Sequence, residues 1–149
     1  MGRPSRYLVV AAAAVLFLLA SAGLARVLNA NSAERAAIET ALEAQAGGNV
    51  RALVASIDGC AQDAGCRASA EANAAALRSS GEVKVARLDL STNFSPFGAD
   101  GTARVVWTTP TRLTVVQCAR IHRAGDVFGG IEVELLDLSR PIDRESSCP

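Results

Sequence analysis

Imidazole is almost absent from this chain: His122 is the only histidine in 149 residues. Ser–His–Asp and Cys–His catalysis both need an imidazole base held by an orienting partner. His122 is thus the one candidate base. It sits between Ile121 and Arg123 in a segment that reads as a strand, where it alternates with Arg120 and faces solvent. Asp126 follows it by four residues, but at a hairpin turn, so the two are not expected to share a cavity. A lone histidine also argues against zinc, which needs closely spaced ligand pairs. No GxSxG, GxGxxG or P-loop occurs, and Gly129–Gly130 reads as a bulge rather than a phosphate loop. Glu132 and Glu134 share one strand face, so they do not flank a substrate as glycosidase carboxylates do. No cofactor and no metal is expected.

Aromatic residues are scarce as well, at 4%. Trp107, the sole tryptophan, reads as a core plug or a sheet-end anchor with its N–H satisfied. Were there a pocket, Trp107, Arg120 and His122 are the residues that would line it. Phe94 and Phe97 straddle Pro96 in a long turn and could cover the sheet end or form a contact patch. Lysine is nearly missing, with Lys84 alone against fourteen arginines, which reads as coding bias. Beyond residue 25, 13 basic residues face 15 acidic ones. That balance excludes the net basic face that nucleic acid requires, and there is no polybasic stretch for anionic lipid.

What the chain does have is an unbroken apolar run, Tyr7–Ala25, preceded by Arg3 and Arg6. Nineteen uncharged residues span about 30 Å as a helix, one hydrocarbon core. The small residues Ala20-Ser21-Ala22 and Gly23-Leu24-Ala25 would also suit signal cleavage near Ala22 or Ala25. The length of the run, with Leu24 still apolar, favours a retained single-pass anchor, whose contact is membrane lipid. The basic residues before the run place the N-terminus in the cytoplasm and the rest outside it. No cysteine closes the run, so a lipid-modified cysteine start is not expected. Residues 1–26 are read as anchor or signal, 27–32 as a short linker and 33–149 as one extracytoplasmic domain, large enough to hold its own core.

Cys60, Cys66, Cys118 and Cys148 form an even set, which in an exported domain implies disulfides. Three pairings are possible. The short AQDAG spacer favours Cys60 with Cys66, leaving Cys118 to tie down the tail through Cys148.

Helical periodicity and caps predict helices from Asn31 or Ser32 to about Ala46, from Asn49 to Gly59, and over about Arg67–Ser79. Asn31 and Glu34 read as a capping box. Ile38, Ala41, Leu42 and Gln45 share one stripe. From Glu82 the period becomes two, with a slip at Ala86–Arg87 that reads as a bulge. Further strands are expected over Thr102–Thr108, Arg112–His122 and Val127–Leu138. The fold class is therefore α+β: a transmembrane helix, then about three helices packed on a curved four-stranded antiparallel sheet.

Over roughly residues 33–139, this order of elements resembles the cystatin-like cone superfamily of nuclear transport factor two. That resemblance implies a long first helix across a curved sheet, and a fold that readily forms a pocket. The stretch VVWTTP…VVQCARIHRAGD…IEVELLDLSRPI…ESSC also looks like small uncharacterised membrane-anchored bacterial proteins, which bring no activity to transfer. Three functions are weighed. One is a non-enzymatic extracytoplasmic module that binds an envelope protein or small ligand. Another is a cone-fold isomerase, dehydratase or hydrolase that uses His122. The third is a domain that only supports assembly of an envelope complex, which would show an exposed apolar patch and no cavity.

Overall fold

In the computed structural model, residues 4–92, 99–124 and 132–148 are described. The expectations for Phe94, Pro96, Phe97, Asp126 and Gly129–Gly130 lie outside those residues.

Helix α1 runs without a break over Pro4–Ala46. This corrects the expected linker at 27–32 and the new helix start at Asn31. No glycine or proline stands between Arg26 and Ser32. The asparagines and serine cost only tenths of a kcal/mol each, whereas a fresh start must nucleate again. Within α1 the window Tyr7–Leu24 is long and apolar enough to cross a membrane, and none of it is buried by the rest of the chain. The second half, by contrast, buries Glu34, Ile38, Ala41, Leu42, Gln45 and Ala46. The helix ends where Gly48 takes φ +69°. Asn49 N–H donates to Ala44 O and Gly48 N–H to Gln45 O, a Schellman closure.

Helix α2, Val50–Ala55, is capped by the Asn49 side chain, which accepts from Ala52 N. Helix α3, Ala64–Leu77, starts three residues earlier than its periodicity suggests. Asp63 is its cap and accepts from Gly65 N and Cys66 N. Cys66 thus sits in the first turn, bonded to Cys60 before the cap, with Cα atoms 5.2 Å apart. The small residues Ala70 and Ala74 let α3 approach the core closely.

Four antiparallel strands follow as a meander: β1 Lys84–Thr92, β2 Ala99–Thr109, β3 Arg112–Ala124 and β4 Glu132–Leu138, side by side in that order. The bulge in β1 falls between Val85 and Arg87, as the phase slip implies. In β2 burial alternates strictly, with Ala103, Val105 and Trp107 inaccessible on the helix side. Their partners across the register are Ala119, Gln117 and Val115. Ala103, Val105, Trp107, Val115 and Ala119 make one core with Ile38, Leu42, Leu53, Ile121 and Leu135. Each fully buried aliphatic or aromatic side chain there contributes about 1.5–3 kcal/mol of transfer free energy.

The other face of β3 is also covered at Val116 and Cys118. The C-terminal tail does this. Ser139 N–H donates to Cys118 O and Ile142 N–H to Val116 O, both at 2.8 Å. The tail then crosses to β2, where Arg104 donates to the carbonyls of Ser146 and Arg144. The Cys118–Cys148 disulfide holds it there.

Candidate functional site

Sheet register decides which polar groups meet. Trp107 lies on the helix side of β2, whereas Arg120 and His122 lie on the outer side of β3, because side chains alternate along each strand. The pocket expected from Trp107, Arg120 and His122 is therefore corrected: the sheet itself separates the first residue from the other two.

Trp107 is a core plug. Its indole N–H donates to Gln117 Oε1 at 2.7 Å. The same oxygen accepts from Gln45 Nε2 at 2.9 Å, and Gln117 Nε2 donates back to Gln45 Oε1 and on to Ser139 O. Asn73 Nδ2 donates to the carbonyls of Leu138 and Ser139 beside them. These groups are buried, and each amide has partners, so the network joins α1, α3, the sheet and the start of the tail.

On the outer face, His122 stands opposite Asp100 on β2 and opposite Glu134 on β4. Its Nδ1 is 2.7 Å from Asp100 Oδ1. A carboxylate on Nδ1 fixes the ring and leaves Nε2 free, the arrangement found in His–Asp dyads. The site is open, however, with the side chains 37% and 81% exposed. Water reaches both groups, so the low dielectric that strengthens catalytic electrostatics is missing. All four cysteines are in disulfides, so no thiol can serve as nucleophile. Arg120, also exposed, faces Thr102 and Asp137.

One residue further along β3, Arg123 turns to the helix side. Its guanidinium donates through Nε to Glu34 Oε1 and through Nη2 to Asn31 Oδ1 at 3.2 Å. Glu34 is wholly buried, so it is an ion-pair partner here and not half of a capping box. The hydrogen bond to Glu34 pushes the Arg123 pKa above its usual value, outweighing the lowering by burial, and the charge of Glu34 adds to the rise. Glu34 Oε2 has no hydrogen-bond partner among the described residues.

Sequence reasoning missed Asp100, Arg123 and Gln117. Only Gln117, a polar residue inside the apolar run VVQCA, carried a visible signal. Among the described residues no group of three or more His, Cys, Asp or Glu is gathered as a metal would require. A scan against protein-family models and searches of curated proteins and of solved structures find no match to this chain.

Proposed function

We propose that this protein is a single-pass, membrane-anchored extracytoplasmic module without catalytic activity that binds an envelope protein partner. The observation that carries this reading is the filled interior. The helix-facing side of the sheet, where a cone fold would take a small ligand, is occupied by Trp107, Gln117, Gln45, Ile38 and Leu42, all with 0% exposure. Recognition is left to the outer surface, which suits a protein better than a small apolar molecule. The exposed apolar window of α1 supports the anchor, and two disulfides suit an oxidising compartment. The helix-on-meander layout supports kinship with the cone-shaped superfamily of nuclear transport factor two.

Photocrosslinking in the native envelope tests it, with the probe amino acid at Arg87 or Arg120 on the outer face. A discrete crosslinked protein is expected, lost when the apolar run is replaced by a cleaved signal. Crosslinks to no protein from either position would overturn the reading.

The His122–Asp100 contact favours one second reading, a cone-fold enzyme with His122 as base. Complementation by a His122→Ala chain separates the two.

A further inference from the structure

Helix α1 touches the sheet at two levels. Glu34 bonds Arg123, and Gln45 bonds Gln117. Along α1 eleven residues separate the two levels, about 17 Å, and along β3 six residues separate them, about 20 Å. Helix and strand are therefore nearly aligned, and they run in opposite directions. The same helix is continuous with the apolar window Tyr7–Leu24.

From this we infer that the domain stands upright on the bilayer, with one end of its sheet turned to the lipid headgroups. The inference rests on the anchor reading above. Glu34 lies nine residues past Ala25, about 13 Å beyond the hydrocarbon edge along the helix. The headgroup layer accounts for about 5–7 Å of that distance. The Glu34–Arg123 pair, and the His122–Asp100 pair one residue further out, thus sit within about one Debye length of the headgroups. Among the described residues this end carries Asp100, His122, Glu132 and Glu134 together with Arg35 and Arg123. The uninterrupted helix holds it there.

The opposite end, the turn between β2 and β3, points away from the membrane. Leu113 is there, 84% exposed. Nine residues of β3 separate it from His122, about 30 Å. The far end, rather than the His122 end, is what a partner approaching from outside meets first.

Energy transfer tests the arrangement. The full chain is reconstituted in phosphatidylcholine vesicles containing a headgroup-dansyl lipid, and flotation is checked first. Three chains are compared: the native one, reporting from Trp107, and the variants His122→Trp and Leu113→Trp. Upright standing gives strong transfer for the added tryptophan at 122, and weak transfer at 107 and 113. A Glu134→Trp chain serves in place of His122→Trp if that variant unfolds. Equal transfer from 113 and 122 means the domain lies flat and overturns the inference, leaving the anchor intact. Failure of the native chain to float overturns the anchor reading, and the inference with it.

Discussion

Gln45 and Gln117 face each other head to tail in the core, each amide nitrogen bonded to the other's oxygen. Seventy-two residues apart in sequence, they are the polar seam between α1 and β3. Gln117→Leu removes the acceptor of both Gln45 and Trp107, leaving two buried N–H groups unpaired. The expected cost is about 3 kcal/mol, and Gln45→Leu, which leaves the Trp107 bond in place, costs less. Urea unfolding followed by Trp107 fluorescence measures both; equal effects would show that the indole bond contributes nothing.

Removing the second disulfide frees the tail. Chain entropy for a loop closed across 30 residues gives about 3–4 kcal/mol for Cys118–Cys148 and less, about 2 kcal/mol, for the short Cys60–Cys66 loop. In the Cys118→Ala/Cys148→Ala chain, limited proteolysis should cut first between Arg140 and Ser147. Non-reducing peptide maps that join Cys60 to Cys118 would contradict the pairing itself.

Arg123→Met leaves the Glu34 carboxylate buried and alone, at a cost of about 3 kcal/mol. The double variant Glu34→Leu/Arg123→Met should regain most of that. The pH dependence has a definite sign. Because the folded-state pKa of Arg123 is raised, its contribution is fully present below the ordinary arginine pKa and is lost only as pH rises through the raised value. The melting difference between native and Arg123→Met chains should therefore hold steady from about pH 7 to about pH 10. A difference that shrinks steadily over that window would assign the effect to another group.

His122→Ala loses an exposed pair with Asp100 and should change stability by less than about 1 kcal/mol. It should also complement any phenotype of a deletion. A variant that folds and stays at the membrane yet fails to complement would move His122 into the working site and favour the enzyme.

The elements were largely legible. Period-two alternation marked β1 and its bulge at Ala86, Gly47–Gly48 marked the end of α1, and spacing favoured the disulfide pairs. The candidate site was not. A second irregularity, between Trp107 and Thr109, advances the β2–β3 register by one residue. Without it His122 would face Ala99; with it, His122 faces Asp100. A single bulge thus chooses the partner of the only imidazole, and nothing in the residue types near Thr108 announces it. Glu34 misled for a related reason. Its spacing from Asn31 fits a helix start, and only the arrival of Arg123 from 89 residues away reassigns it.

The unbroken α1 has a rotational consequence. A helix without a hinge transmits twist, so the sheet's heading about the helix axis is locked to the angular phase of the apolar window Tyr7–Leu24. One residue inserted between Ala25 and Asn31 would swing the whole domain through about 100° and lift it by about 1.5 Å. Four residues would bring its outer face back to within about 40° of its first heading, about 6 Å higher. Any neighbour that grips both the apolar window and the sheet therefore meets a fixed compass bearing, set by the number of residues between them.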